Sequence, residues 1–250
     1  MSQLVLARHE GPLARLTLND AARANVLSLA MMDALQEAIE AAAGDERVRV
    51  IILGAAGKVF CAGHDLGELQ GAAGTREAEA LFTRCSALMM AIGACRAPVV
   101  ARVQGAAVAA GCQLVASCDL AYAIATARFA VSGVNLGLFC STPGVALTRA
   151  IPRKAATQML LTGEFIGADR AVELGLINAA VPDSELDAHI DIVATSICAK
   201  PPEAIALGKE CLRQQIEAPL GEAYAIASAA MAENLSFTSA REGIAAFLKR

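Results

Sequence analysis

The chain has 250 residues, of which 56% are hydrophobic, 18% charged and 4% aromatic, and its formal net charge at pH 7 is −4. This composition excludes intrinsic disorder, which requires low hydrophobicity and a high net charge, and it provides no basic surface for a nucleic-acid backbone. The length is sufficient for one large domain with a substantial core, and we expect no nucleic-acid partner.

The most apolar part of the chain, residues 97–134, is interrupted by charged side chains such as Arg102 and Asp119. No uncharged apolar run reaches the roughly 20 residues that a membrane-spanning helix needs. The first apolar stretch carries ionisable side chains, including Arg8 and Glu10, which is unlike a signal or transit peptide. We therefore expect a cytoplasmic protein with no membrane partner.

Eight cysteines and three histidines are scattered along the chain without a Cys-x-x-Cys pair or the spacing of metal ligands. A chain of this length builds its own core and does not require disulfide bonds. We therefore expect the thiols to be small buried hydrophobic groups, and we expect no metal site.

Apolar runs and turn residues in the first half of the chain predict alternating strands and helices. The predicted strands cover residues 3–8, 13–18, 48–53, 98–103 and 120–124. The predicted helices cover residues 29–44, 75–95 and 109–117, and Ser28 is placed to cap the first of them. This alternation is typical of an α/β fold.

The second half is predicted to be mainly helical, with one strand at residues 177–181. The predicted helices cover residues 155–161, 168–174, 185–199, 202–216, 220–235 and 239–248, and a further helix starts near Pro143. We therefore expect an α/β core over residues 1–195 and a helical C-terminal region over residues 196–250.

Two segments rich in glycine and alanine, residues 60–66 and 105–114, each join an apolar stretch to a helix start. Backbone N–H groups at a helix N-terminus lack intrahelical partners and lie at the positive end of the helix dipole. Two such donors that converge on a carbonyl oxygen would stabilise negative charge on it. Taken alone, the pattern is a weak signal, because segments rich in glycine and alanine are usually only turns.

These two segments, together with residues 117–120 and 162–164, resemble the enoyl-CoA hydratase/isomerase (crotonase) family over essentially the whole chain. Residues 133–144 are similar in particular to the branch called enoyl-CoA hydratase domain-containing protein 3. The resemblance implies a crotonase-like spiral of β-β-α units with a helical C-terminal trimerisation region, assembled as a homotrimer or a dimer of trimers. It implies an acyl-CoA thioester as partner, with coenzyme A as part of the substrate and no separate cofactor.

The resemblance also assigns roles to individual residues. The thioester oxygen would lie between the backbone N–H groups of His64 and Ala110, while Gln113 and Gly133 stand where family hydratases have two catalytic glutamates. The candidate substrate-binding residues are Arg23, Ala62, Asp65, Leu66, Asn135, Cys140, Phe247 and Lys249.

Neither Gln113 nor Gly133 can exchange a proton usefully near neutral pH, and general acid–base assistance contributes about 10²- to 10⁴-fold. We therefore expect classical hydratase activity to be weak or absent. Two interpretations stay open: a lyase or isomerase whose reaction is unassigned, and a catalytically silent acyl-CoA-binding protein. An RNA-binding relative is disfavoured because the helix over residues 29–43 has no lysine or arginine. Restoring both glutamates is expected to raise hydratase activity if the pocket is otherwise intact.

Overall fold

The computed structural model describes residues 3–72 and 74–249. The strands in this part of the chain are β1 (Val5–Glu10), β2 (Leu13–Leu18), β3 (Val50–Ala55), β4 (Val59–Cys61), β5 (Val99–Val103), β6 (Ala106–Val108), β7 (Leu120–Ile124), β8 (Arg128–Ala130), β9 (Ile166–Gly167) and β10 (Ala179–Val181). They form a six-stranded sheet of order β1-β2-β3-β5-β7-β10 and a four-stranded sheet of order β4-β6-β8-β9.

The helices in the same residues are α1 (Leu29–Gly44), α2 (Leu66–Gly71), α3 (Thr75–Ala94), α4 (Ala110–Ser117), α5 (Ser141–Ala150), α6 (Arg153–Thr162), α7 (Ala168–Leu174), α8 (Leu186–Cys198), α9 (Pro202–Gln215), α10 (Leu220–Ser236) and α11 (Thr238–Leu248). The cap predicted for α1 is confirmed, because Ser28 Oγ accepts a hydrogen bond from the Met31 N–H at 3.2 Å. None of the helices of the described residues has both the length and the apolarity to cross a lipid bilayer.

Consecutive strands of the core belong to different sheets, which produces the predicted spiral. β3 lies in the large sheet and β4 in the small one, and the same alternation recurs for β5 and β6 and for β7 and β8. Within each sheet, equivalent strands of successive turns pair in parallel, as β3 does with β5 and β4 does with β6. The α/β class and the spiral of β-β-α units are therefore confirmed.

The pairing of β4 with β6 positions the two glycine-rich segments. Cys61 is in register with Ala107, so the ends of these parallel strands lie side by side. The chain continues from β4 towards α2 and from β6 into α4. The starts of two helices, one from each segment, are thereby brought to one edge of the small sheet.

Helices α1 and α8 cover the large sheet through apolar residues spaced one turn apart. In α1 these include Leu35 and Ile39, and in α8 they are Leu186, Ile190 and Ala194, all almost fully buried. By contrast, α9, α10 and α11 have no buried residue among those described. The boundary expected after residue 195 falls within the last turn of α8, and the change from buried to exposed helices comes at α9.

The sequence prediction missed the small sheet. β4, β6, β8 and β9 contain only two or three residues each and lie in segments that were predicted as loops or small-residue stretches. Strands this short carry no readable alternation of apolar and polar residues. They are set by pairing with each other and by burial of Phe60 and Phe129, which lie in the same small sheet but far apart in sequence.

Candidate functional site

A cavity of about 300 Å³ lies where the ends of β4 and β6 meet the loop between β8 and α5. Its wall contains six of the residues expected from the sequence: Ala62, His64, Leu66, Ala110, Gly133 and Cys140. Leucine and phenylalanine side chains, including Leu69 and Phe82, line the rest, with the hydroxyls of Ser132, Ser141 and Thr142. No Asp, Glu, Lys or Arg is among the described residues that line it, so the cavity is an uncharged and largely apolar space.

The loop after β4 lies against the first turn of α4. Gly63 has a φ of +96°, and a Cβ placed on it would lie 3.0 Å from Val108 O and 3.4 Å from Ala110 N. At Gly111 a Cβ would lie only 2.2 Å from Cys61 O, so a side chain there would force the two segments apart. The backbone nitrogens of the two segments are thereby held close together.

Two backbone N–H groups at this junction are free. Within the described residues, neither the His64 N–H nor the Ala110 N–H donates a hydrogen bond to a protein acceptor. Their neighbours are occupied, because the Ala62 N–H donates to Ala24 O at 3.1 Å and the Ala109 N–H donates to Ala130 O at 2.8 Å. Both free donors belong to residues that line the cavity, and Ala110 is the first residue of α4.

Ala109 has a backbone conformation that alanine rarely adopts, with φ +50° and ψ −116°. Ala109 is the single residue between β6 and α4, so this conformation turns the chain from the strand into the helix. A strained residue of this kind costs about 1–3 kcal/mol and persists only where the surrounding structure enforces it.

The imidazole of His64 forms part of the cavity wall and packs edge-on against Phe82, with ring centroids 5.4 Å apart. Its Nε2 is buried and has no hydrogen-bond partner among the described residues. Burial lowers the pKa of His64 to about 4. The ring is therefore neutral near pH 7.

Gln113 is 4% exposed and lies on α4, but it is not among the cavity-lining residues of the described chain. Its Oε1 accepts a hydrogen bond from the Cys85 thiol of α3 at 3.8 Å, and burial raises the pKa of that thiol to about 12. A neutral amide paired with a neutral thiol supplies no acid or base.

Gly133 lies in a short 3-10 helix, Ser132–Leu136, and its surroundings leave no room for a side chain. Its N–H donates to Cys140 Sγ at 3.3 Å, and its carbonyl accepts from the Leu138 N–H at 3.0 Å. A Cβ at this position would lie 2.3 Å from Leu138 O and 2.8 Å from Cys140 Sγ. The expectation that restoring both glutamates raises hydratase activity stays a prediction, and it requires Leu138 and Cys140 to make room for a side chain at position 133.

Arg23 and Asp65 are paired with each other. The Arg23 guanidinium forms an ion pair with the Asp65 carboxylate and lies 3.8 Å from an Asp20 oxygen. Asp65 is also the N-cap of α2, where its Oδ1 accepts from the Gly67 N–H at 2.8 Å. Neither side chain is among the described residues that line the cavity.

The other residues expected at the site are not among the described residues that line the cavity. Asn135 is exposed, and its amide lies against Gly163. Phe247, 74% exposed, and Lys249 lie at the C-terminal end of the chain. Phe82 and Phe139 line the wall and were not predicted from the sequence. The available signal for Phe139 was the apolar run at residues 136–139, shortly before the helix start predicted near Pro143.

Among the described residues no group of three or more His, Cys, Asp or Glu side chains is placed to hold a metal ion. The chemical resources of the site are therefore two free N–H donors, a neutral imidazole, a thiol and hydroxyls beside an apolar space. Burial raises the pKa of the Cys140 thiol, so it is also uncharged at neutral pH.

The family model described as enoyl-CoA hydratase/isomerase matches residues 8–250. The chain belongs to the enoyl-CoA hydratase/isomerase family. It is 45% identical over 244 residues to the human protein named enoyl-CoA hydratase domain-containing protein 3, mitochondrial, covering 98% of this chain and 80% of that one. The zebrafish (Danio rerio) protein of the same name is 43% identical over 249 residues, covering 100% and 86%.

Solved structures of this family agree with the fold. A crystal structure of an enoyl-CoA hydratase from Mycobacterium smegmatis superposes with a TM-score of 0.97 at 52% identity, covering 99% of this chain and 97% of that one. That of human enoyl Coenzyme A hydratase domain-containing protein 3 gives 0.95 at 44% identity, covering 98% and 97%. The family, the similarity to this branch and the crotonase-like fold are therefore confirmed.

The cytoplasmic location expected from the sequence is wrong, because the curated relatives that match this chain over nearly its full length are named as mitochondrial proteins. The expectation rested on composition and on the charges near Arg8. Cellular addresses are read from short segments that the folded domain does not need, so the composition of a folded domain does not report its compartment.

Proposed function

We propose that this protein binds an acyl-CoA thioester in the cavity, with the thioester oxygen accepting hydrogen bonds from the backbone N–H groups of His64 and Ala110. The observation that carries the proposal is the pair of unpartnered N–H groups beside an uncharged, largely apolar cavity. Preorganised donors of this kind stabilise negative charge on a carbonyl oxygen. Coenzyme A enters as part of the ligand, and no separate cofactor is required.

Classical hydratase activity is weak or absent in this proposal. Hydration of an enoyl thioester requires a group that activates water and a group that delivers a proton to the carbon next to the carbonyl. The titratable groups in the described wall are His64 and Cys140, and neither is a carboxylate. Gln113 can orient a water molecule but cannot act as its base.

Of the two interpretations left open, the neutral wall favours a catalytically silent acyl-CoA-binding protein over a lyase or isomerase. A family enzyme of either kind needs at least one proton shuttle. A lyase or isomerase would have to bring that group from a second copy of the chain or from the ligand itself.

Further residues are proposed to hold the coenzyme A part of the ligand. The backbone from Ala62 to Leu66 would follow the pantetheine chain, and Arg23, ion-paired with Asp65, would face a phosphate. Phe247 and Lys249 would contribute from a neighbouring copy, since both are exposed at the C-terminal end. Asn135 and Cys140 would border the acyl group.

Exposed apolar residues on α9–α11 and in the segment that joins α9 to α10 support an oligomer, which we propose to be a homotrimer or a dimer of trimers. They include Leu212, Ile216, Leu220, Tyr224, Met231, Leu235, Phe247 and Leu248, each more than half exposed. Large contiguous apolar surfaces of this kind mark protein interfaces.

Calorimetric titration tests the two hydrogen bonds to the thioester oxygen directly. The ligands compared are butyryl-CoA and its thioether analogue, which lacks the carbonyl oxygen. We expect the thioester to bind about 10-fold more tightly or better, since two hydrogen bonds to one oxygen are lost in the analogue. In parallel, turnover of crotonyl-CoA is expected to fall far below the roughly 10 s⁻¹ of a typical enzyme. Equal affinity for the two ligands, or hydration at ordinary enzyme rates, contradicts the proposal.

A further inference from the structure

The side chain of His64 is not used by the oxyanion site, which involves only its backbone N–H. It lies in an uncharged wall. One of its ring nitrogens, Nε2, is buried without a partner among the described residues. Nδ1 has no protein partner in that part of the chain either, and it is not enclosed in the same way. Because His64 lines the cavity, the less enclosed Nδ1 is the ring nitrogen that is available to a ligand there.

The two nitrogens of a neutral imidazole differ, because one is a donor and the other an acceptor. A buried N–H without a partner is rarer, and more costly, than a buried acceptor without one. The enclosed Nε2 is therefore assigned as the acceptor, and the proton is assigned to Nδ1. The cavity then gains a neutral side-chain N–H donor close to the two backbone donors.

Covalent geometry limits where this donor can act. Only four bonds separate the backbone nitrogen of His64 from Nδ1, so the two nitrogens lie within about 5 Å of each other, and a ligand oxygen that reaches Nδ1 belongs to the part of the acyl group near the thioester. Hydroxyls of Ser132 and Thr142 lie in the same wall. These polar groups would be left unpaired against a purely hydrocarbon acyl chain.

We propose that His64 is a specificity-determining residue whose side chain selects acyl thioesters with a hydroxyl or carbonyl oxygen on the acyl group close to the thioester. The proposal rests on the proposed function, because it requires an acyl-CoA in this cavity. The ring acts as a hydrogen-bond donor only and transfers no proton. Its lowered pKa keeps it in the neutral form at physiological pH.

The test compares three ligands by calorimetric titration: 3-hydroxybutyryl-CoA, acetoacetyl-CoA and butyryl-CoA. The wild-type chain is expected to bind the two oxygen-bearing ligands about 10-fold more tightly than butyryl-CoA, since an unmatched buried polar group costs that much or more. In His64→Phe, which keeps an aromatic ring against Phe82 and keeps the backbone N–H, the ratio of affinities for the oxygen-bearing ligands and butyryl-CoA is expected to fall to about 1.

A second variant distinguishes loss of the hydrogen bond from a folding defect in His64→Phe. His64→Asn is smaller and places a side-chain amide where Nδ1 lies, so it is expected to keep part of the preference. Equal binding of the three ligands by the wild-type chain, or an unchanged preference in His64→Phe, overturns the specificity role while leaving acyl-CoA binding intact. If none of the three ligands binds, the proposed function fails and this inference fails with it.

Discussion

Gly133 shows how neighbouring residues can fill the space beside a position that lines the cavity. The volume that a Cβ on this residue would need is taken by Leu138 O and Cys140 Sγ. Comparison with the family motif predicts that a glutamate is missing at this position. It cannot show that residues five and seven positions later fill the space, because that depends on the turn between them.

The buried imidazole of His64 predicts a loss of stability in acid. Its pKa is lowered by burial from 6.5 to about 4, so the unfolded chain binds the proton first as the pH falls. Protonation of this residue leaves the free energy of unfolding unchanged above pH 6.5. Between pH 6.5 and pH 4 it lowers the free energy of unfolding by up to about 3 kcal/mol.

Urea unfolding of the wild-type chain and of His64→Phe between pH 4.5 and 8 measures this effect. The phenylalanine variant is expected to lose less stability over the acid range, because it has no ring nitrogen to protonate in the unfolded state. If the free energy of unfolding falls equally steeply with decreasing pH in both proteins, another group causes the loss of stability in acid.

Ala109 predicts an unusual gain of stability on mutation to glycine. Its φ of +50° is in a region that glycine enters freely, so Ala109→Gly relieves strain and is expected to stabilise the fold by about 1 kcal/mol. The neighbouring substitution Ala110→Gly, at a buried helical position without that strain, is expected to cost about 1 kcal/mol.

Thermal unfolding of the two variants side by side provides the measurement and its control. Opposite signs of the change in unfolding temperature are expected. Should Ala109→Gly be as destabilising as Ala110→Gly, the strain at Ala109 is not a feature of the folded protein in solution.

At the scale of elements, long apolar segments were predictable and short ones were not. The predictions for β2, β7 and α7 agree with the structure at both ends, because their patterns are local. The strands of the small sheet depend on partners 22 to 47 residues away, and this sheet brings the two free N–H groups together. The sequence therefore identified the two segments, while their juxtaposition came from pairing that no local pattern records.

The contact between β4 and α4 predicts that Gly111 is needed for ligand binding although it is absent from the described cavity wall. In Gly111→Ala the new methyl group would lie 2.2 Å from Cys61 O and would push α4 away from β4. We expect a loss of about 1–3 kcal/mol in stability and a reduced preference for the thioester over its thioether analogue. Gly93→Ala, in α3 with open space around it, is the matched control and is expected to raise stability by up to about 1 kcal/mol and to leave the thioester preference unchanged.

Binding titrations on folded Gly111→Ala at low temperature separate the two effects. If the variant is destabilised yet keeps the full preference for the thioester, the spacing of the two N–H groups does not depend on this contact.

At the scale of the whole molecule, the chain divides its apolar residues between a closed core and an open C-terminal surface. The core is sealed by α1, α3 and α8, whereas the apolar side chains of α9–α11 remain in contact with water in a single chain. Leu220 and Tyr224, one turn apart on α10, are 75% and 68% exposed. Exposing such a surface costs free energy that association recovers.

The double variant Leu220→Glu with Tyr224→Glu is therefore expected to dissociate the assembly and leave the fold of each chain intact. Light scattering of the wild-type protein should give three or six times the chain mass of 25.7 kDa, and the variant should approach one chain mass with unchanged helix content. The control adds the same two charges at exposed positions of the core helices, Ala41→Glu with Ala80→Glu, and should keep the wild-type mass. Two glutamates buried at a subunit contact would weaken the association, because a buried charge without a partner is costly. A double variant of undiminished mass therefore contradicts the placement of the interface on α10. A monomeric wild-type protein contradicts it as well.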